Sequence, residues 1–341
     1  MQGSREYGAA GVRPVRFGRT GLRVSPLCLG TMTFGMQCDE PESVAILDAA
    51  FDRGITFIDT ADMYPNGHDG ELAGVTEEIL GRWMTGRRSE VIVASKFFAP
   101  MGPNPWDRGG SRKHVMDAIE ASLRRLGTDY LDLYQIHLFD TATPLDETLG
   151  ALDDLVRAGK VRYVGCSNYA AWQLARAIGR SETLGIVRYE SVQPRYNLLF
   201  RNIERELLPL CVHDEVAVLP YNPIAGGMLS GKHVAADGPA EGTRFTLGTA
   251  AERYRERYWA DDKFAVVEEI RPLADEAGMS MAQLALSWVL ANPVVTAPIV
   301  GASRPEHLDD AAAAVDKPLD EDLKARLDDL TAHFRTVDTV R

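Results

Sequence analysis

Cysteine is scarce in this chain: four residues, Cys28, Cys38, Cys166 and Cys211, with no CxxC pair and no repeated spacing. A disulfide scaffold or a structural zinc site is therefore not what organises it, and a reducing, cytoplasmic setting is expected. Long hydrophobic runs are missing too. No apolar stretch approaches the ~18 residues that a membrane span needs. Residues 1–13 are polar and rich in glycine and alanine, without the apolar segment of a signal peptide, and read as a disordered tail. Positive charge is in deficit: 37 Lys and Arg against 49 Asp and Glu leave a formal net charge of -12. A general nucleic-acid binder draws affinity from cations that neutralise phosphate, so the balance argues against that class. It leaves room for an anionic cofactor in a local basic pocket. Internal repeats and linker-like stretches are absent, so residues 14–341 read as one domain.

What is present is an alternation. Short apolar or β-branched runs at 27–29, 56–58, 91–94, 131–136, 161–164, 190–192, 216–219 and 297–300 alternate with longer stretches of helical spacing. Helices are expected over 41–53, 76–84, 111–126, 144–158, 170–179, 203–213, 262–277 and 280–291. Ser111 suits an N-cap, and Gly127 follows a last turn holding Arg124 and Arg125, which complements the helix dipole. Eight such units predict a parallel sheet covered on both faces, either closed as a barrel or spread as a doubly wound sheet. Ahead of them, residues 15–24 carry Gly18-Arg19-Thr20-Gly21 between two short apolar stretches, the pattern of a β-hairpin. The irregular stretch 221–260 is expected to form a lid or binding loop. Within it, 253–259 reads as a solvated helix with an aromatic edge.

The residues that close each strand carry the chemistry. Asp59 follows the second run, Lys96 the third, His137 the fourth, Ser167 and Asn168 the fifth, Gln193 the sixth, Tyr221 and Asn222 the seventh, and Gly301 and Ser303 the eighth. In a barrel these positions share the C-terminal rim, where barrel enzymes assemble their sites. Reducing a carbonyl needs a proton for the developing alkoxide. A tyrosine can supply it, although its ordinary pKa of about 10 lies far from neutrality. A neighbouring lysine ammonium favours the phenolate, and an aspartate balances the buried lysine. An imidazole can hydrogen-bond the substrate oxygen. Asp59, Tyr64, Lys96 and His137 form a coherent set for that work.

On these residues the chain resembles the aldo-keto reductase family over nearly its whole length. The matching segments are Phe57-Ile58-Asp59-Thr60-Ala61-Asp62-Met63-Tyr64, Glu77-Glu78-Ile79-Leu80-Gly81, Ala94-Ser95-Lys96 and Leu131-Asp132-Leu133-Tyr134-Gln135-Ile136-His137. Val161 to Asn168, Gln193-Pro194-Arg195-Tyr196-Asn197 and Ile299-Val300-Gly301-Ala302-Ser303 continue the series. The resemblance implies an α/β fold, a (β/α)8 TIM barrel with an N-terminal β-hairpin and a C-terminal helix. It implies Tyr64 as general acid, tuned by Lys96 and Asp59, with His137 orienting the carbonyl. It also implies NADPH, with NADH less favoured, held across the barrel mouth without a GxGxxG loop. Gly30, Thr31, Met32 and Asp59 would flank that cofactor. Ser167, Asn168 and Gln193 would take the nicotinamide amide, and Tyr221 the ring. The backbone of Asn222, Pro223, Ile224, Ala225 and Gly226, with Lys232 and Arg244, would close over the pyrophosphate. Gly301, Ser303, Arg304 and His307 would meet the adenosine end at a helix N-terminus, which favours phosphate, with Arg304 on the 2′-phosphate. This chain departs from the family in carrying His307 and Ala311 where many relatives have Gln and Asn, which bears on NADPH preference.

Phe34, Phe98, Trp106 and Phe139, on loops after the first, third and fourth strands, are expected to line an apolar substrate pocket, with ordinary packing as the plain alternative for each. Trp288 is expected in the core. The expected partner is a small-molecule carbonyl substrate, with a homo-oligomer left open. A metal-dependent barrel hydrolase would need clustered ligands, and only His137 among the seven histidines directly follows a strand. The other rival is a cofactor-binding regulatory subunit that keeps the barrel but acts through a protein partner.

Overall fold

The computed structural model describes residues 13–68 and 70–336; the tail expected over 1–13 lies, apart from Arg13, outside the described residues. Two short strands, β1 (Val15–Arg16) and β2 (Arg23–Val24), pair antiparallel as the expected hairpin. Eight further strands follow: β3 (Cys28–Gly30), β4 (Phe57–Asp59), β5 (Ile92–Phe97), β6 (Leu131–Ile136), β7 (Val161–Ser167), β8 (Ser191–Gln193), β9 (Ala217–Val218) and β10 (Ile299–Gly301). They lie in the order β10-β3-β4-β5-β6-β7-β8-β9, every neighbouring pair parallel. Isolated parallel bridges Val218↔Val295 and Tyr221↔Ile299 join the two ends. There the Thr296 N–H donates to the Val218 carbonyl at 2.9 Å and the Ile299 N–H to the Pro220 carbonyl at 2.8 Å. The ring closes, and the fold is the (β/α)8 barrel.

Successive strand residues point to opposite faces, and this period of two sorts the barrel. Ile58, Val93, Tyr134, Val164, Val192 and Val218 point outward into the large core beneath the helices. Phe57, Ala94, Leu133 and Ala217 point inward and form a small apolar layer in the barrel's lower half. Two residues further along β4, β5 and β6 stand Asp59, Lys96 and Gln135, all buried. The same alternation that fills the base with apolar side chains therefore places polar ones at the top.

The hairpin plugs the base. Phe17 is fully buried in the lower layer, edge-on to Phe57 at 6.1 Å. Gly18 sits at φ +53, where a Cβ would come within 2.6 Å of the Glu215 carbonyl, and the Arg19 N–H donates to that oxygen at 2.8 Å. The turn lies too close to the barrel for any side chain.

Helix ends follow the expected chemistry, with instructive shifts. Helix Arg112–Leu126 starts after Ser111, whose hydroxyl accepts from the His114 N–H, and stops at Gly127 in the left-handed region. Helix Ala171–Leu184 runs through Gly179, expected as its end, because nothing approaches that glycine and Gly185 provides the left-handed stop instead. The helix expected from 203 starts later, at Leu207–His213, since Pro209 fits only a first turn. Trp288 is buried, with its indole N–H donating to Asp328 at 2.9 Å. Among the described residues no helix is long and apolar enough to cross a membrane.

Helix Val75–Trp83 packs on helix Arg112–Leu126 through Gly81, where a Cβ would sit 2.4 Å from the Arg125 carbonyl. Gly81→Ala should destabilise the protein by about 1–3 kcal/mol through overpacking. Gly150, in helix Leu145–Arg157, has nothing within 4 Å, so Gly150→Ala should stabilise by about 0.5–1 kcal/mol. Thermal unfolding of the two variants checks the opposite signs.

Candidate active site

The inward polar residues converge at the C-terminal mouth. Lys96, fully buried, forms a short hydrogen-bonded ion pair with Asp59. Its ammonium also donates to the Thr60 carbonyl at 2.9 Å and reaches the Tyr64 hydroxyl at 3.4 Å. The second oxygen of Asp59 accepts from Gln193 Nε2 at 2.8 Å and from Gln135 Nε2 at 3.2 Å. All three of the ammonium's protons and both carboxylate oxygens thus have partners, the condition under which a buried pair is tolerated. The His137 ring stands edge-on to Tyr64, with centroids 6.0 Å apart.

Burial and charge set the protonation states. Burial pulls the Lys96 ammonium toward neutrality, but the Asp59 charge, the Tyr64 oxygen and their hydrogen bonds more than offset it, so its pKa lies above the ordinary value. Tyr64 also lies above its ordinary value. Burial is the larger effect there, and the Lys96 charge and hydrogen bond offset it only in part. Lys96 draws the phenol toward neutrality as expected, but desolvation outweighs it and the net shift is upward. His137 is pushed down to about 3, by burial first and then by the Lys96 and Arg253 charges. It is a neutral imidazole throughout the physiological range.

A cavity of about 520 Å³ opens above this set. It gathers Tyr64, His137, Gly30, Thr31, Met32, Asp59, Ser167, Asn168, Gln193, Tyr221, Asn222, Arg244 and Gly301. Ser167 and Asn168 close a small network: the Tyr221 hydroxyl donates to Asn168 Oδ1 at 2.7 Å, and Asn168 Nδ2 donates to Ser167 Oγ at 3.0 Å and to the His137 carbonyl at 3.1 Å. Asn168 and Asn222 both sit in the left-handed region, at φ 59 and φ 56, which asparagine tolerates better than most residues. Gln193, expected on a nicotinamide amide, lines the cavity with its Nε2 donating to Asp59.

Pro223, Ile224, Ala225 and Gly226 follow Asn222 but are not among the residues lining the cavity, and Arg244 lies over Gly301. Lys232, Ser303, Arg304 and His307 stand outside the cavity lining as a separate corner. There Arg304 Nε donates to His307 Nε2 at 2.9 Å, the Ser303 N–H approaches Nδ1 at 3.3 Å, and burial followed by the Arg304 and Lys232 charges lowers the His307 pKa. Among the residues lining the cavity, two buried donors are left without partners, Arg244 Nη1 and Asn222 Nδ2. Orphaned donors over a glycine-lined trough fit an anionic cofactor, since unpaired buried polar groups otherwise cost free energy.

The aromatic expectations divide. Phe98 lines the cavity, at the strained φ of 140. Phe34 does not: it is fully buried in the main core, and its carbonyl accepts from Thr76 Oγ1. Trp106 is 50% exposed and outside the lining. Phe139 packs edge-on against Tyr169 and Trp172, outside the cavity. A loop position names a neighbourhood but not a direction, and these three rings turn elsewhere. Sequence reasoning missed Gln135, although its spacing two residues before His137 places it inward. It also missed Arg108, Arg253, Tyr254 and Arg257 at the cavity wall. The last three belong to helix Ala251–Tyr258, which is exposed along its outer side as expected and also lends these residues to the cavity wall.

The sequence pattern of the aldo/keto reductase family matches residues 26–332. An uncharacterized oxidoreductase, YrpG, of Bacillus subtilis is 40% identical, covering 92% of this chain and 94% of its own. A probable voltage-gated potassium channel subunit beta of Arabidopsis thaliana is 37% identical over 88% of this chain and 90% of its own. Versiconal hemiacetal acetate reductase of Aspergillus parasiticus is 34% identical over 88% and 91%.

Removing one partner of the buried pair strands the other charge. Lys96→Met should destabilise by about 3–5 kcal/mol. Adding Asp59→Asn should recover part of that loss, because the stranded carboxylate is gone. Urea unfolding of both singles and the double measures the coupling, and additive losses would mean the pair does not act as a unit.

Proposed function

The chain belongs to the aldo/keto reductase family, and from that premise we propose that it reduces an aldehyde, ketone or keto-sugar to the alcohol with NADPH, Tyr64 acting as general acid. The family and its relatives make it an NAD(P)H-dependent oxidoreductase; the preference for NADPH and the residue roles are our reading. What carries it is the convergence of the Tyr64 hydroxyl on Lys96 at 3.4 Å, beside a neutral His137, at the floor of one cavity.

A carbonyl oxygen seated between Tyr64 and His137 meets a phenol O–H and a neutral imidazole. Because burial holds Tyr64 protonated, the phenol is ready to donate as negative charge develops on that oxygen. The phenolate left behind lies beside the Lys96 ammonium, which stabilises it without leaving Asp59. Gln135 and Gln193 keep Asp59 in place, and His137 adds a hydrogen bond that requires no proton exchange. When bound at the mouth, a reduced nicotinamide would supply the hydride for the carbonyl carbon. Ser167 and Asn168 suit its amide and Tyr221 its ring. Arg244, Lys232 and the Asn222–Gly226 backbone suit the pyrophosphate, and Gly301, Ser303, Arg304 and His307 the adenosine phosphate.

The Arabidopsis relative's name favours a second reading, a cofactor-binding regulatory subunit. The two diverge on turnover. Quenching of intrinsic fluorescence should show NADPH binding more tightly than NADH, with Arg304→Ala weakening NADPH more than NADH. Tyr64→Phe should keep cofactor affinity while lowering kcat by about 10²–10⁴-fold. Cofactor binding without turnover of any carbonyl would support the regulatory reading, and a wild-type rate in Tyr64→Phe would remove Tyr64 as the acid.

The pH profile follows from the same groups. Reduction needs protonated Tyr64, so the rate falls only as pH rises through its raised pKa, above the ordinary 10. His137, held near 3, contributes no step around its ordinary 6.5. The kcat/KM for reduction should be flat between about pH 6 and 9. An inflection near 6.5 that disappears in His137→Gln would contradict the neutral imidazole.

A further inference from the structure

Four guanidinium groups line the cavity, from Arg108, Arg244, Arg253 and Arg257, against a single carboxylate, Asp59, which Lys96 already holds. That excess stands out in a chain of net charge -12. Outside the cavity some arginines are paired, among them Arg82 with Glu40, Arg125 with Glu77, Arg180 with Asp146 and Arg326 with Glu276, and others, such as Arg124, Arg195 and Arg255, are not paired among the described residues. Among the described residues, none of the four cavity arginines has a carboxylate partner.

The four divide by position. Arg244 lies over Gly301 and beside Gly226, in the half that suits a cofactor. Arg257 acts on Tyr221, at the boundary. Arg108 and Arg253 belong to the other half. Arg108 precedes Gly109, whose N–H donates to the carbonyl of Phe98 at 2.8 Å, so it stands on the lip after β5. Arg253 neighbours Tyr254 on helix Ala251–Tyr258, and its charge is felt at His137. That helix is pinned. Tyr254 and Tyr258 are buried, the Tyr258 hydroxyl accepts from Asn197 Nδ2 at 3.1 Å, and Trp259 packs edge-on against His233, Phe245 and Phe264. The two arginines come from different segments, and both line the cavity that holds Tyr64 and His137.

We propose that the substrate is a carbonyl compound bearing an anionic group, carboxylate or phosphate, which Arg253 and Arg108 hold at the rim while its carbonyl meets Tyr64 and His137. This rests on the reductase reading above and deepens it. A guanidinium pairs with either anion through two parallel N–H donors. Arg108 and Arg253 are both exposed at the cavity edge, open to an arriving anion, and neither is held by a carboxylate of its own. The same field draws an anion into the cavity against an acidic surface, an effect that salt screens.

Two aldehydes of nearly equal shape test this, para-carboxybenzaldehyde and para-formylbenzamide, with para-formylphenyl phosphate as the phosphate arm. At low salt the wild-type holoenzyme should favour an anionic aldehyde over the amide by about tenfold or more in kcat/KM, and the advantage should shrink as salt is raised. In Arg253→Ala the anion-to-amide ratio should fall toward one, and Arg253→Lys should restore part of it. Calorimetric binding of para-(hydroxymethyl)benzoate to the protein loaded with cofactor should weaken in Arg253→Ala. Which anion gains more distinguishes carboxylate from phosphate. Equal use of anionic and amide aldehydes, or a ratio indifferent to Arg253→Ala, would overturn the proposal and leave the reductase reading intact. A loss of NADPH affinity in Arg253→Ala would assign the arginine to the cofactor and overturn it as well. Failure to turn over these aldehydes, and ketones and keto-sugars alike, would remove the reductase reading, and this inference with it.

Discussion

Lys96 and Asp59 face each other inside the barrel with almost no solvent contact. Either charge alone would carry a desolvation penalty of several kcal/mol, so neither can be placed without the other, nor the pair without further donors and acceptors. Gln135, Gln193 and the Thr60 carbonyl are those groups. Each comes from a different part of the ring, which makes the pair a constraint on strand register across β4, β5, β6 and β8. A slip of one residue in any of these strands would turn its polar group out into the apolar shell beneath the helices. Below the pair, Phe57, Ala94 and Leu133 fill the barrel, and the hairpin's Phe17 seals its base. The dryness that makes the pair expensive also makes its field strong at Tyr64, because little water lies between them to screen it.

Much of this was legible in the alternation of short apolar runs with helical stretches. All eight barrel strands fall within two residues of the expected runs, except that β5 and β7 continue three residues further. Those extensions have a common cause. Apolar runs were read as ending where polarity begins, whereas inside a barrel the inward series changes from apolar to polar without leaving the strand. Lys96 and Ser167 are therefore strand residues, not loop residues. For the same reason Gln135 went unread as a member of the site, since an amide inside an otherwise apolar strand announces no role until its neighbours across the ring are known.

The remaining misses concern direction. Phe34, Trp106 and Phe139 occupy loops that do border the mouth, yet one ring enters the core, one faces solvent and one joins an aromatic cluster. Helix Ala251–Tyr258 shows the converse. Its charged composition fits a solvated helix, and Glu252, Arg253, Arg255 and Glu256 are indeed exposed, with Arg257 half-buried. Arg253 and Arg257, four residues apart, share a face, and which way that face turns depends on how the long segment after β9 packs through Tyr254, Tyr258 and Trp259. Local periodicity can find such a stripe but cannot aim it.

Net charge misleads in a related way. A total of -12 describes the surface seen from several Debye lengths away. The cavity is a different environment, with four guanidinium groups and one neutralised carboxylate. Within it, charge and burial oppose each other at Tyr64: the surrounding cations favour a phenolate, and desolvation favours the phenol. Desolvation prevails. Under the proposed mechanism that order suits proton donation. A phenol kept protonated by burial gives up its proton only when new negative charge on a bound oxygen needs it, and the cations then stabilise what remains. Were Lys96 the stronger influence, the resting tyrosine would be closer to ionisation and would suit proton removal from an alcohol. The balance between a buried hydroxyl and the ammonium at 3.4 Å therefore bears on the direction of the chemistry as well as its rate.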